Sequence, residues 1–311
     1  MKRSIVFIAV TLSLCAAACQ PEQTQSPTKG TLELIIPESI EPVMMAEVNQ
    51  FMDLYRQNGA DIRTRIGTTE SAIDAFVSGS LRLVFVTRAL TEQEKARVRE
   101  SSETLVELAV AYDAVVAVNN VKNPADQITV AELRGILSGS ITRWEKLSRS
   151  GGMRGAIRVY YEDSSDVSLY LRRRLLAGAP ARGLFINTGS SLQTLRSVIQ
   201  DRQSIGFVGV DWLDSAKVPA KVLEVAASRR DADTTYKPPV ESIGRYYSVH
   251  PANVYRSYYP LKRTIYMYSR SARGDIATGF GTYVANKEGQ RIFLNRNLVP
   301  GTQPIRLRPS F

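Results

Sequence analysis

VYYEDSSDVSLYLRRRLL, residues 159–176, contains the change of period on which the fold turns. Residues 157–161 are β-branched and aromatic and predict a strand. Glu162, Asp163, Ser164, Ser165 and Asp166 break that pattern, and Val167, Leu169, Tyr170, Leu171, Leu175 and Leu176 then recur at helical spacing. The residues at the break are good N-caps, because their side-chain oxygens accept hydrogen bonds from the free N–H groups of a first turn. A helix start of this kind also offers an anion unpaired donors and a partial positive charge. The same residues equally describe an ordinary capped helix in an α/β domain, so the stretch alone leaves both readings open.

Outward from this stretch, strands and helices alternate. Residues 31–36 predict a strand, and 41–57 a helix with Val43, Met44, Val48, Phe51, Met52 and Tyr55 at helical spacing. A strand at 61–66 precedes a helix opened by Thr68, Thr69 and Glu70 and closed near Gly79. A strand at 81–86 ends at Thr87 and Arg88, and Thr91 with Glu94 forms a capping box for a helix through Glu100. This alternation predicts an α/β fold with a parallel sheet. Residues 106–119 form an extended run long enough to cross between two domains. Beyond it, Thr129 and Glu132 form a second capping box, Ser190 or Ser191 caps a helix over 192–199, and 204–210 reads as a buried strand. Residues 221–226 and 263–268 predict two more strands, and 276–294 one last helix.

The 311 residues suffice for two medium domains or one large one. Forty Lys and Arg against 30 Asp and Glu leave a net charge of +10, which favours anionic ligands or surfaces. The basic residues are dispersed and form no block interleaved with aromatics, so nucleic acid is not an expected partner. His250 is the only histidine, and no HExxH, nucleophile elbow, GxxxxGK[ST] loop or cysteine cluster is present. The sequence therefore predicts no catalysis, no metal and no cofactor.

Lys2 and Arg3 followed by an apolar run over 5–18 read as a signal peptide, too short for an ordinary membrane span. The run ends Ala16-Ala17-Ala18-Cys19, which resembles a bacterial lipobox with Cys19 as the lipidated first residue; ordinary cleavage after the Ala-x-Ala site is the alternative. Cys15 and Cys19 are the only cysteines, so a chain cut before Cys19 forms no internal disulfide. Residues 20–30, polar and Pro-containing, read as a flexible tether.

Five phrases then occur in order: DAVVAVNN (113–120), ITVAELRGILSGSITRW (128–144), SIGFVGVDWL (204–213), YPLKRTIY (259–266) and GQRIFLNRNLVP (289–300). Together they resemble the substrate-binding proteins of phosphate ABC transporters, in the lipoprotein form, over the chain from residue 31 onward. The resemblance implies a two-lobed type II periplasmic-binding-protein fold with a central cleft and two crossover strands, closing around its ligand by a hinge. It implies a signal peptide at 1–18, a lipidated tether at 19–29, lobe one at 30–112 and 224–311, and lobe two at 113–223. It implies a periplasmic, lipid-anchored protein that delivers phosphate or a similar oxyanion to a membrane permease and does no chemistry. The alternative is a binding scaffold put to another use, as a sensor, adhesin or assembly protein, with a lost or altered phosphate site.

By the same resemblance the anion would meet Ser39 and Ile40 in one loop, Thr87 and Arg88 in a second, and Ser164, Ser165 and Asp166 in a third. Arg88 would pair bidentately with an oxyanion. The sequence departs from the family pattern in that Glu38 enters the first loop, while Tyr161 replaces an Arg, Asp166 a Gly and Val167 a Thr in the third. A carboxylate about 4 Å from a phosphate repels it by roughly 4 kcal/mol per unit charge product at an effective dielectric near 20. Phosphate still carrying a proton escapes part of this, because the carboxylate then accepts a hydrogen bond from it.

Overall fold

A computed structural model describes residues 26–101, 104–270 and 274–303. Cys15, Cys19 and the signal and lipidation expectations lie outside the described residues.

The first elements are β1 (Gly30–Pro37), α1 (Glu41–Tyr55), β2 (Ala60–Gly67), α2 (Thr69–Val77), β3 (Leu83–Val86), α3 (Glu92–Ser101) and β4 (Val106–Asn120). Next come β5 (Gln127–Thr129), α4 (Val130–Ser138), β6 (Arg158–Tyr161), α5 (Asp166–Leu176), β7 (Phe185–Asn187), α6 (Ser191–Gln200), β8 (Ser204–Gly209) and α7 (Asp211–Ala216). The remainder is β9 (Ala220–Val222), β10 (Glu224–Ala226), β11 (Tyr246–Tyr247), α8 (Pro251–Tyr255), β12 (Lys262–Ser269), α9 (Ile276–Ala285), α10 (Lys287–Asn295) and β13 (Val299–Pro300).

β4 is the strand on which two α/β lobes meet. Its first half pairs antiparallel with β12, whose other edge takes β3. Its second half pairs with β8 and β9, and the sheet continues from β8 through β6 to β7. β4 thus runs from the β12 side of the sheet to the β8 side, and Leu261, whose carbonyl accepts the Val115 N–H, leads into β12. β1 and β2 form a separate parallel pair.

Helix starts are set by local side-chain chemistry. Thr68 and Thr129 form capping boxes, and Ser165 and Ser190 accept N–H groups of α5 and α6. Apolar burial holds the lobes together. One core cluster runs through Leu32, Val43, Phe51 and Phe280 and on to Val198 and Val208 across the β4 junction. A second gathers Ile128, Leu133, Trp144, Leu171 and Phe207, and draws in Tyr236, Val254, Tyr259 and Leu261 from the segment after β10.

Two expected elements divide. The strand expected over 221–226 is β9 and β10, in different sheets: β9 pairs with β4, whereas β10 lies parallel to β5. The switch falls at Leu223, whose N–H donates to Ala117 while that of Glu224 donates to Asp126. The helix expected over 276–294 is α9 and α10, broken where Asn286 is extended at φ −83°, ψ 176°. Gly289 permits the tight turn, because a Cβ there would lie 2.6 Å from the Tyr283 carbonyl oxygen. The amide of Gln290 then donates to the Val284 carbonyl left open by the break, at 2.8 Å.

Candidate anion-binding cleft

The cleft between the lobes is lined by the starts of several helices, and its carboxylates lie on those starts. Asp166, the first residue of α5, is buried, and its Oδ1 accepts the N–H of Thr69, the first residue of α2, at 2.8 Å. Its Oδ2 accepts the hydroxyl of Ser39 at 3.3 Å. Glu38 reaches in the opposite direction. It stands between β1 and α1, and its two oxygens accept the N–H and the hydroxyl of Ser191, the first residue of α6, both at 2.8 Å. Each lobe thus places a carboxylate on a helix N-terminus of the other, where N–H donors and the helix dipole stabilise an anion. Trp212 adds a third tie, its indole N–H donating to the Glu38 carbonyl at 3.0 Å.

Behind Ser39 lies a buried ion pair. Arg263 and Asp113 are direct cross-strand partners on β12 and β4. Their side chains are each 1% exposed, and Arg263 Nε donates to Asp113 at 2.6 Å. Arg263 also donates to the Ser39 hydroxyl at 3.1 Å and the Ser39 carbonyl at 3.2 Å, so its charge is directed at the floor of the cleft. Gly209 at the end of β8 makes room for this packing, since a Cβ there would lie 2.5 Å from the Ser39 carbonyl oxygen.

The cleft is a place where negative charge is costly. Burial raises the Asp166 carboxyl above its ordinary value, against the lowering effect of the Thr69 N–H and of Arg263. Burial also raises Glu38, against the hydrogen bonds from Ser191. Glu162 is pushed up to about 7 by burial and by the nearby charges of Glu38 and Asp166.

The residues expected to grip an anion are brought to this region but are differently engaged. Ser39 faces Asp166, and Ile40 is buried as the N-cap of α1. Thr87 donates its N–H to the Thr69 hydroxyl at 3.1 Å. Arg88, expected to pair with an oxyanion, is committed to Glu70 and Glu94, with contacts from 2.5 to 3.0 Å. Ser164 is exposed in the left-handed region, at φ 63°, and that turn aims Ser165 at its helix. The Ser165 hydroxyl donates to the Glu162 carbonyl and accepts the Ser168 N–H, so it caps α5. Sequence reasoning passed over Thr69, Ser191 and Arg263 as site residues. The first two were legible by the helix-start argument applied to Ser165; the third carried no local signal.

Beside Asp166 the cleft widens into a cavity of about 800 Å³, with Arg88, Tyr112, Arg174, Tyr236, Lys262 and Tyr266 among its walls. Arg173 on one lobe and Glu70 on the other close its rim with an ion pair at 2.8 Å.

The sequence matches the PBP superfamily domain over residues 21–288. It is 24% identical to protein SphX of Synechococcus elongatus over 275 residues, which are 86% of this chain and 77% of that protein. It is also 24% identical to the phosphate-binding protein PstS of Bacillus subtilis over 237 residues, 70% of this chain and 74% of that one. The fold superposes on an ABC-type phosphate transport receptor from Vibrio cholerae with a TM-score of 0.61 at 18% identity, covering 87% of this chain and all (100%) of that one.

Proposed function

The chain belongs to the PBP superfamily, as a substrate-binding protein of the phosphate-transporter kind, and on that premise we propose that it is an extracytoplasmic lipoprotein that captures an oxyanion of the phosphate class between its lobes and hands it to an ABC permease. Cys19 carries the lipid in this reading and 20–29 form the tether. In this reading residues 224–261, expected with lobe one, belong instead with lobe two, giving 30–112 with 262–303 and 113–261; the packing of Tyr236, Val254, Tyr259 and Leu261 into the second core supports it.

One observation supports the reading most directly. The N–H and hydroxyl donors of Ser39, Thr69 and Ser191 converge on the cleft and already hold carboxylate oxygens. A donor set that satisfies a carboxylate also satisfies a phosphoryl oxygen. Arg263 supplies fixed positive charge behind Ser39, and Arg88 and Thr87 shape the neighbouring wall. The lobes bind and release, with no bond made or broken in the cargo.

The occupancy of those donors by Asp166 and Glu38 favours a second reading, a scaffold whose phosphate site has been surrendered to internal contacts. Calorimetric titration of the full chain in mild detergent, with phosphate and then sulfate, separates the two. Selective phosphate binding supports capture of cargo; no heat with either anion from a folded sample supports the surrendered site.

A further inference from the structure

The cavity beside Asp166 is larger than an inorganic anion needs. At about 800 Å³ it falls in the size range of sites for organic ligands. Its walls carry cations whose hydrogen-bonding capacity is only partly met. The Arg174 side chain is 3% exposed, and only its Nη1 meets a carboxylate, that of Asp233 at 2.9 Å. Its Nε and Nη2 have no hydrogen-bond partner among the described residues, and its guanidinium lies 4.8 Å from the centre of the Tyr236 ring. The Tyr236 hydroxyl is likewise buried without a partner among the described residues. Lys262 lies 4.1 Å from the centre of the Tyr112 ring, with the Ser257 hydroxyl at 3.4 Å and no carboxylate partner among the described residues. Burial of Lys262 holds its ammonium below the ordinary value, which marks a charge short of partners.

Unsatisfied buried donors on a cation are costly, and an anion that accepts from them removes the cost. The donors at Thr69 and Ser39 are occupied by Asp166; Arg174 Nε and Nη2 lack an acceptor among the described residues, and Lys262 has only the Ser257 hydroxyl. Tyr112 and Tyr266 add ring surface to the walls that inorganic phosphate would leave unused.

We propose that this cavity is the cargo site and that the cargo is an organic phosphomonoester, its phosphoryl group between Arg174 and Lys262 and its organic part against the tyrosine rings of Tyr112 and Tyr266. The inference rests on the oxyanion reading above and specifies which oxyanion. A phosphomonoester carries about −1.5 to −2 charges near neutral pH, which matches two incompletely paired cations better than a monoanionic carboxylate does.

The test is calorimetry on the full chain with phenyl phosphate, benzoate and inorganic phosphate, repeated on Lys262→Met and Arg174→Gln. Phenyl phosphate binding at least tenfold tighter than either other anion is expected, with a tenfold or greater loss in Lys262→Met. Arg174→Gln is expected to lose as much, and circular dichroism checks that each variant folds. Inorganic phosphate binding as tightly as phenyl phosphate overturns the cargo assignment and leaves the oxyanion reading standing. Benzoate matching phenyl phosphate overturns the phosphoryl assignment. Phenyl phosphate binding undiminished in a folded Lys262→Met overturns the seat. Silence from every anion overturns this inference and the oxyanion reading together.

Discussion

The Oδ1 of Asp166 accepts the N–H of Thr69 at 2.8 Å, so the first residue of α5 in one lobe sits on the first residue of α2 in the other. A protein carboxylate thereby holds donors of the kind that bind a free anion.

Removing that carboxylate frees the donors. Asp166→Ala leaves the Thr69 N–H and the Ser39 hydroxyl open beside the charge of Arg263. Inorganic phosphate is expected to bind at least tenfold tighter than to the parent chain, by calorimetry. Weaker binding in the variant would show that Asp166 receives the anion rather than excludes it.

Anion binding is expected to strengthen as pH falls from 8 to 6. Glu38, Glu162 and Asp166 all hold their protons more tightly than usual, Glu162 up to about 7. Above that value the ionised Glu162 repels an incoming anion; below it that repulsion fades. Sulfate is the clean probe, since it does not titrate in this window, and Glu162→Gln should flatten the profile. Equal pH dependence in variant and parent would exclude Glu162 as the responsive group.

Glu47 on α1 is fully buried, and neither carboxyl oxygen has a hydrogen-bond partner among the described residues. Burial pushes it from an ordinary 4.5 up to about 9. The folded state keeps this proton where the unfolded chain has lost it. Its stabilising contribution is complete below pH 4.5 and is lost as pH rises toward 9. A single such proton gives a slope of about 1.4 kcal/mol per pH unit. Urea unfolding between pH 5 and 8.5 should show that slope in the parent and a flatter line in Glu47→Gln; parallel lines would refute it.

Gly209→Ala should destabilise the chain by about 1–3 kcal/mol, the usual cost of overpacking. Its Cβ would meet the Ser39 carbonyl at 2.5 Å and Arg263 Nη2 at 2.9 Å, both held in the buried Asp113 pair. Denaturant midpoints measure this, and an unchanged midpoint would mean that the floor of the cleft yields freely.

Trp212 reaches across to the Glu38 carbonyl, whereas Trp144 is fully buried and donates to the Gln203 carbonyl in its own lobe. In a Trp144→Phe background, adding Glu38→Ala breaks the clasp on Ser191. The emission of Trp212 should shift to the red as its surroundings gain water. Identical spectra would show that the clasp does not hold the lobes.

The local parts of this architecture were legible in the sequence. Capping is a matter of three or four neighbouring residues, so Thr68, Thr129, Ser165 and Ser190 announced their helices. What faces what across the cleft was not. Ser39 and Asp166 stand 127 positions apart, and Arg263 and Asp113 stand 150 apart. No local period encodes such a pairing. Arg88, expected to meet an oxyanion, is held by Glu94 six positions on and by Glu70, which reaches it from 18 positions away only through the packing of α2. The break between α9 and α10 had only a weak local sign in Gly289, whose missing side chain permits the close approach there.

An anion that enters the seat on α2 contends with a rival that cannot diffuse away. Tethering gives the Asp166 carboxylate an effective concentration on the order of millimolar or more at that seat. Dilute solutes therefore lose the contest, and occupancy begins only above a threshold that the chain itself sets. The cargo seat proposed between Arg174 and Lys262 is free of that rival, so a solute settling there need not displace Asp166 from Thr69.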